Sequence, residues 1–317
     1  MELHLPTACV NRYKSASQRA RVGTESWGAE NFFCPVCDSP RLQLAPQGTA
    51  TLDYTCPKCA SPFQLKSQSK QFGAKIVDSA YSKMREAVLT DRTPNLYVLH
   101  YDLTAWAVRT VILIPHFAFA LSAIEPRKPL AATARRAGWV GCNILLSQIP
   151  QDARIPIVGN GTARPAVEVR RAYQRLRPLA KLKADTRGWT LDVLKVVRGL
   201  GEEDAGVNAG RGLGEEDAGV NAGRGLGEED SGVNPGRGLG EEDAGVNPGR
   251  GLGEEDSGVN PALRKTFSLG DVYAHEDALA KLHPGNRHVR DKVRQQLQVL
   301  RDMGLIEFLG DGEYRFN

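Results

Sequence analysis

Two short stretches decide the fold of this chain: Cys34-Pro35-Val36-Cys37, and the run Leu52-Asp53-Tyr54-Thr55-Cys56-Pro57-Lys58-Cys59-Ala60-Ser61-Pro62-Phe63-Gln64-Leu65-Lys66. Each stretch contains a Cys-x-x-Cys pair, and eighteen residues separate Cys37 from Cys56. This spacing is typical of a structural zinc site in which Cys34, Cys37, Cys56 and Cys59 form a closed tetrahedral shell of thiolates. The alternatives are two disulfides or four unrelated thiols.

The residues after the second cysteine pair predict a strand. In a strand, Gln64 and Lys66 point to one face, and Phe63 and Leu65 point to the other face, into a core. An acid such as Asp53, followed on the next strand by an acid or amide, any residue and a lysine, is the PD-(D/E)xK pattern of metal-dependent nucleases. There, Asp53 and Gln64 would bind Mg²⁺ through oxygen atoms, and Lys66 would orient or help deprotonate the attacking water and stabilise charge on the phosphate. The pattern is short and also occurs by chance.

Length and composition fit about two globular domains, because 317 residues with 41% hydrophobic content can bury a core. Residues 1–13 lack a basic stretch followed by a long apolar one, and the apolar run 108–123 is interrupted by Arg109, Pro115 and His116. We therefore expect a soluble, cytoplasmic protein without membrane contact. The six histidines are scattered along the chain, which argues against a histidine-based nuclease or hydrolase.

A thirteen-residue unit, Arg-Gly-Leu-Gly-Glu-Glu-Asp-Ala/Ser-Gly-Val-Asn-Ala/Pro-Gly or a close copy, is repeated five times over residues 198–261. One Leu and one Val per unit cannot offset the conformational entropy of folding, so we expect a disordered acidic loop. A solenoid is less favoured because its units are longer and carry a full apolar face. An acidic arm that mimics DNA and competes for a basic groove is a further alternative.

The repeat also hides the charge of the rest of the chain. Outside the repeat remain 36 of the 41 basic residues and 22 of the 37 acidic residues, a net charge of +14. A body this basic predicts a polyanionic partner, although charge alone does not separate nucleic acid from a membrane surface.

Two domains are predicted, one at 1–184 and one at 185–317. The first alternates strand-like runs (96–101 and 111–114) with helical runs (74–89 and 167–176), which is typical of a mixed α/β domain. The second predicts helices at 189–197, 269–282 and 287–303, then strands at 305–309 and 313–316 around Gly310-Asp311-Gly312. That order is typical of a winged helix, here interrupted by the repeat, which a loop tip tolerates because closure entropy grows only logarithmically with length.

Outside the repeat, nearly the whole chain resembles the DpnI family of methyl-directed restriction endonucleases. The resemblance is carried by Tyr13-Lys14-Ser15-x-Ser17-Gln18-x-Ala20-Arg21, both cysteine pairs, Phe63-x-Leu65-Lys66-Ser67, Arg127-Lys128-Pro129-Leu130-Ala131-x-Thr133-Ala134-Arg135-Arg136-Ala137-Gly138-Trp139-x-Gly141-Cys142-Asn143-Ile144 and Arg294-Gln295-Gln296-Leu297-Gln298-x-Leu300-Arg301-Asp302. It implies an amino-terminal PD-(D/E)xK nuclease domain with an embedded zinc site and a carboxy-terminal winged helix. It further implies cleavage of double-stranded DNA at GATC sites whose adenines are methylated. It implies no obligate protein partner, and we expect a monomer.

Carried over by position, Asp53 and Lys66 match the catalytic acid and lysine of the family. Gln64 departs from the family, which has glutamate there. An amide oxygen can bind Mg²⁺ but brings no negative charge, so the affinity for the metal should be lower. Two alternatives follow: a methylated-DNA binding protein that does not cut, and a transcription regulator with a zinc ribbon and a winged helix in which the Asp53 to Lys66 pattern is accidental.

Two stretches are candidates for DNA contact. In the last helix, Val289, Val293, Leu297 and Leu300 form an apolar stripe that predicts a core face. On its basic remainder we expect Arg290, Arg294 and Gln298 to contact bases in the major groove, although a solvated face is the simpler interpretation.

The second stretch carries an aromatic candidate for recognising the methyl group on adenine, Trp139, whose plainer interpretation is a core residue. Its basic neighbours Arg127, Lys128, Arg135 and Arg136 would contact phosphates.

Overall fold

The computed structural model describes residues 1–46, 52–203 and 266–317. Up to residue 182 the chain forms a mixed α/β unit with two sheets. Its helices and strands, in chain order, are α1 (Ala16–Asn31), β1 (Gln43–Leu44), β2 (Tyr54–Thr55), β3 (Pro62–Gln68), β4 (Lys75–Ala80), α2 (Tyr81–Leu89), β5 (Asn95–Asp102), β6 (Ala107–Ile114), β7 (Ile124–Pro126), β8 (Gly141–Leu145), β9 (Ile155–Gly159), β10 (Thr162–Ala163) and α3 (Ala166–Leu176).

The larger sheet has the strand order β1-β2-β3-β5-β6-β9-β10. Strands β3 and β5 are parallel, and the other neighbouring pairs are antiparallel. Aromatic side chains fill the space between this sheet and α1: the rings of Phe32 and Tyr97 stack with centroids 3.9 Å apart, and Phe63 packs on the same tyrosine. The Tyr97 hydroxyl donates to the Phe33 carbonyl at 2.9 Å, so the burial of this polar group is compensated.

The smaller sheet is antiparallel, with the order β4-β8-β7. Its first strand contradicts the helix predicted over residues 74–89, because only Tyr81–Leu89 is helical and Lys75–Ala80 is a strand. The β-branched pair Ile76 and Val77 suits a strand, with Ile76 buried and Val77 exposed in alternation. The register opposes Asp78 to Cys142 and Ala80 to Gly141.

The carboxy-terminal part is a helix-turn-helix domain with a β-hairpin. After α4 (Ala184–Glu203) come β11 (Thr266–Ser268), α5 (Leu269–Tyr273), α6 (Glu276–Leu282), α7 (Val289–Asp302), β12 (Ile306–Gly310) and β13 (Glu313–Phe316). The prediction of a single helix over 269–282 is wrong, because the two short helices α5 and α6 cover this range. Ser268 accepts from the backbone N–H of Asp271 and fixes the start of α5.

Helix α4 joins the two parts of the chain. Within the core, Thr190 donates to the buried Gln296 of α7 at 2.6 Å. Asp192, which is 2% exposed, accepts from Ser122 at 2.7 Å and lies 2.8 Å from the His283 imidazole. A shared buried carboxylate therefore links the α/β unit to the helix-turn-helix domain.

The helix predicted at 189–197 is longer than expected at both ends, and the residues added at its carboxy-terminal end belong to the repeat. The expectation that the repeat is disordered from residue 198 onward is wrong for Arg198–Glu203, which continue α4. Leu200 is buried, and Arg198 pairs with Asp152 at 2.8 Å, so tertiary contacts outweigh the low helix propensity of the glycines. The rest of the repeat lies outside the described residues.

The predicted fold class, a mixed α/β domain followed by a carboxy-terminal helix-turn-helix domain, is confirmed. In the parts of the chain that the structure describes, no helix has the length and apolar character needed to cross a bilayer.

We predict that two internal deletions have different effects on stability. Deleting residues 204–260 keeps all of α4 and should leave the melting temperature within a few degrees of that of the intact chain. Deleting residues 199–260 also removes Leu200 and places Pro261 after Arg198, which ends the helix early and should cost about 1–3 kcal/mol. Thermal unfolding followed by circular dichroism measures both. Equal melting temperatures for the two deletions would contradict the role of Leu200.

Candidate active site and cysteine cluster

The four cysteines of the two Cys-x-x-Cys pairs form one cluster. Their sulfur atoms all lie within 4.8 Å of one another. Two of these separations are 3.6 Å, between Cys34 and Cys59, and 3.5 Å, between Cys37 and Cys56. A tetrahedral zinc with Zn–S bonds of about 2.3 Å has sulfur atoms about 3.8 Å apart, so this donor set fits zinc in number and spacing.

The environment of the cluster shifts the pKa values of its thiols in opposite directions, raising those of Cys34 and Cys37 and lowering that of Cys56. Burial alone would raise the pKa of the Cys56 thiol, but hydrogen bonds from the backbone amides of Cys59 and Lys58 lower that pKa to about 6. Burial raises the pKa of Cys34. From α3, Arg170 donates to the carbonyl oxygens of Cys34 at 3.0 Å and Cys37 at 2.9 Å. A guanidinium group at this distance offsets part of the negative charge that four thiolates and a divalent ion would carry.

Asp53 directly precedes β2 and lies three residues before Cys56, the first cysteine of the second pair. Its Oδ2 atom accepts from the backbone N–H of Leu65 at 2.7 Å, which fixes the carboxylate beside β3 between residues 64 and 66. Burial raises the pKa of Asp53, while the Leu65 N–H and the charge of Lys66 lower it. Asp53 therefore lies close enough to Lys66 for the charge of the lysine to act on its carboxylate.

Gln64 and Lys66 lie on the same face of β3, as the strand period predicts. Gln64 is buried and Lys66 is half-buried, while Phe63 packs into the aromatic core. Both side chains meet a carboxylate that the sequence did not suggest, Asp78 of β4. The Lys66 ammonium lies 2.6 Å from Asp78 Oδ1, and the Gln64 amide nitrogen lies 3.5 Å from the same oxygen. We call Asp53, Gln64, Lys66 and Asp78 the candidate site.

Asp78 was missed because residues 74–89 gave a helical pattern. Its side chain is only 1% exposed, which is unusual for an acid unless it is paired. The available signal was the β-branched pair Ile76-Val77 just before it, which favours a strand and hence an alternating burial pattern. That alternation puts Asp78 on the same side as Ile76, facing inward.

The loop that joins β7 and β8, residues 127–140, is called the basic loop. Its cations Arg127, Lys128, Arg135 and Arg136 are all exposed. Trp139 is half-buried rather than part of the core, and the Arg136 guanidinium lies 4.9 Å from its ring centroid. The ring rests on Gly141, where a Cβ atom would lie 2.9 Å from the indole.

The position of the basic loop follows from the register of the smaller sheet. Pro126 and Gly141, which flank the loop, lie on strands β7 and β8, and β8 pairs with β4 at Asp78 and Ala80. Burial raises the pKa of Cys142, the cross-strand partner of Asp78, to about 11, and the charge of Arg127 opposes part of this shift. The basic loop therefore begins and ends next to the candidate site.

The remaining DNA-binding candidates lie on α7, and the two arginines among them contact Glu276, Tyr273 and Asp291 of the helix-turn-helix domain. The predicted stripe of Val289, Val293, Leu297 and Leu300 is buried. Arg290, Arg294 and Gln298 are exposed. The Arg290 guanidinium pairs with Glu276 at 2.7 Å and lies 5.1 Å from the Tyr273 ring centroid, and Arg294 pairs with Asp291.

Comparison with protein families agrees with this architecture. The DpnI family, described as the Dam-replacing family, matches residues 1–182. The chain belongs to this DpnI family. A second DpnI model, described as the Dam-replacing HTH domain, matches residues 259–316. The first match covers the cysteine cluster, the candidate site and the basic loop, and the second covers the helix-turn-helix domain up to β13. Membership implies methyl-directed cleavage or recognition of DNA.

We predict that the protein carries one zinc ion per chain in the cysteine cluster. Cys56→Ser should lose the ion and lower the melting temperature by about 10 °C or more. The reason is that the binding of structural zinc contributes about 10–16 kcal/mol in small domains, and part of this is folding free energy. Metal analysis and thermal unfolding measure these effects. Cys9→Ser, which changes a half-buried cysteine outside the cluster, is the matched control and should keep both zinc and stability. Zinc retained by Cys56→Ser would contradict the assignment.

Proposed function

We propose that this protein is a restriction endonuclease of the PD-(D/E)xK type that hydrolyses double-stranded DNA at adenine-methylated GATC sites. The observation that carries the proposal is that the Asp53 carboxylate, just before β2, accepts from Leu65 of β3, between Gln64 and Lys66, within a chain of the DpnI family. Residues 1–184 would form the nuclease domain with a zinc site, and residues 185–317 the winged helix. The enzyme would work in the cytoplasm as a monomer.

The donor set of the candidate site suits magnesium, a hard cation that prefers oxygen ligands. Asp53 has one carboxylate oxygen engaged by Leu65 and a second that can bind the ion, and Gln64 can add its carbonyl oxygen. Bound Mg²⁺ would supply Lewis-acid stabilisation of the charge on the scissile phosphate. In the hydrolysis, water attacks phosphorus, the bond from phosphorus to the leaving oxygen breaks, and the proton that water loses is taken up by solvent or the leaving oxygen.

Lys66 supplies a hydrogen-bond donor and positive charge in this proposal. Its ammonium is held by Asp78 at 2.6 Å. A donor fixed in this way can orient the attacking water and stabilise negative charge that develops on the phosphate oxygens. Its partnership with a carboxylate favours this role over removal of a proton from water.

Two surfaces would hold the DNA. Arg127, Lys128, Arg135 and Arg136 of the basic loop would contact phosphates next to the candidate site, and Trp139 would contact the adenine methyl group in the major groove. Arg290, Arg294 and Gln298 of α7 would contact base edges. These roles are supported by the exposure of the cations and by the loop's attachment beside Asp78.

Gln64 favours a second candidate function, a protein that recognises methylated DNA without cutting it. An amide in place of a carboxylate removes one negative charge from the ligand set. With weaker attraction for the cation, the same surfaces would bind the modified duplex and leave it intact.

A plasmid assay tests both functions. Methylated and unmethylated plasmids are incubated with the full chain and Mg²⁺, and the products are separated on a gel. We expect cutting of the methylated plasmid alone. Lys66→Met should cut it at least about 100-fold more slowly, because the donor that stabilises charge is removed. Retardation without cutting supports the second candidate, and equal treatment of both plasmids contradicts both.

We further predict that Gln64→Glu tightens Mg²⁺ binding. A second carboxylate ligand adds a negative charge next to the cation, so the Mg²⁺ concentration for half-maximal cleavage should fall about tenfold. Titration of cleavage rate against Mg²⁺ measures this change. Gln68→Glu, on the same strand but with its amide bound to the carbonyls of Lys70 and Gln71, is the control for added charge. If Gln64→Glu abolishes cutting, Gln64 is not a ligand.

A further inference from the structure

Asp78 is the most deeply buried charged group of the candidate site, and its two oxygens have different surroundings. Oδ1 receives both the Lys66 ammonium, at 2.6 Å, and the Gln64 amide, at 3.5 Å. Oδ2 is buried, and among the described residues it has no hydrogen-bond partner. Burying a carboxylate costs several kcal/mol, so a carboxylate held with one bare oxygen calls for a functional explanation.

The space beside this group is not filled by protein. A cavity of about 390 Å³ is lined by Gln64 and Asp78 and, from the α2 side, by residues that include Lys83, Met84 and Glu86. The lining of this cavity is mainly apolar, and the bare Oδ2 atom itself is not exposed to it. The Gln64 and Asp78 side of the site thus borders open space, whereas the Phe63 side of β3 is packed.

The contact with Asp78 determines which way the Gln64 amide points. An amide has a donor end and an acceptor end, and an oxygen facing a carboxylate oxygen would be repelled. The NH₂ group must therefore face Asp78, which directs the carbonyl oxygen of Gln64 away from it. A glutamate at this position would be repelled by Asp78, and because both of its oxygens are equivalent acceptors it has no donor end for Asp78 to turn.

We propose that Asp78 is the positioning residue of the candidate site, which holds Lys66 and turns the Gln64 amide so that its carbonyl oxygen is presented to a divalent cation. This inference deepens the proposed nuclease function and explains how an amide serves where the family has a carboxylate. Asp78 acts through its neighbours and does not contact the phosphate.

Three substitutions separate this role from a simple charge effect. Asp78→Asn keeps an acceptor oxygen but removes the charge, whereas Asp78→Leu has nearly the same shape and removes both. We expect Asp78→Leu to weaken Mn²⁺ binding about tenfold more than Asp78→Asn does. This ratio corresponds to about 1.4 kcal/mol of binding free energy, which is lost because the amide is no longer oriented. In a Gln64→Glu background, Asp78→Leu and Asp78→Asn should differ by less than about threefold, because the glutamate has no donor end to orient.

The measurement is a Mn²⁺ titration of the full, zinc-loaded chain followed by electron paramagnetic resonance, with folding checked by circular dichroism. If Asp78→Leu fails to fold, Asp78→Ala takes its place. Asp152→Leu is the control, because it removes a carboxylate that is not part of the candidate site and that pairs with Arg198 at a distance of 2.8 Å. This variant should bind Mn²⁺ like the unaltered chain. Equal losses in Asp78→Asn and Asp78→Leu, equal losses in both residue-64 backgrounds, or no Mn²⁺ uptake by the unaltered chain would each overturn the proposal.

Cleavage kinetics provide a second readout. Asp78→Leu should lower kcat by about 100-fold or more while KM for the methylated duplex changes less than about threefold, because a misplaced Lys66 affects the transition state and not DNA binding. A purely structural role would lower the amount of folded protein and leave kcat per folded molecule unchanged. If the unaltered chain binds Mn²⁺ with the expected pattern but cuts no DNA, the proposed nuclease function fails and the role of Asp78 stands.

Discussion

The gathering of four sulfur atoms within 4.8 Å is the constraint on which the candidate site depends. Strands β1 and β2 have two residues each, and such a short pairing is barely stable by itself. The cysteine cluster ties this pairing to α3, because Arg170 donates to the carbonyls of Cys34 and Cys37. Since β2 runs directly into Cys56, the same cluster fixes Asp53 against β3. A cation held by the thiolates would therefore stabilise the geometry of the site as well as the fold.

Burial dominates the electrostatics of the candidate site. It raises the pKa of Asp53, and a carboxyl group whose pKa is raised on folding costs stability as the pH rises through that folded pKa. Asp78 adds a second buried carboxylate, which pairs with Lys66 at 2.6 Å, and the charges of Lys66 and Arg21 both act on Asp53. Under the proposed function, a divalent cation beside Asp53 would offset part of the cost of burying this carboxylate.

The sequence predicted the parts of the site that depend on local spacing. The distance between the cysteine pairs led to the cluster, the strand period put Gln64 and Lys66 on one face, and the apolar stripe of α7 is buried as expected. What it did not predict depends on contacts between distant residues. Asp78 reaches Lys66 only because β4 pairs with β8, more than sixty residues further along the chain. Likewise, the glycine-rich start of the repeat is helical only because Leu200 finds a buried place and Arg198 a partner.

The two proposed DNA-binding surfaces differ in what binding would cost them. On α7, Arg290 must leave Glu276 and Arg294 must leave Asp291 before either can reach a guanine. Breaking these exposed ion pairs offsets part of the free energy that an arginine–guanine contact provides. The basic loop begins and ends beside Asp78, and its Trp139 ring is already held in place by Gly141 and Arg136. Under the proposed function, the aromatic surface of the loop is preorganised next to the scissile phosphate. Binding a methyl group there therefore has a smaller free-energy cost than contacting a base with α7, whose ion pairs must first break. Coupling of methyl recognition to cleavage should therefore reside in the loop, with α7 adding affinity through its attachment to the same chain.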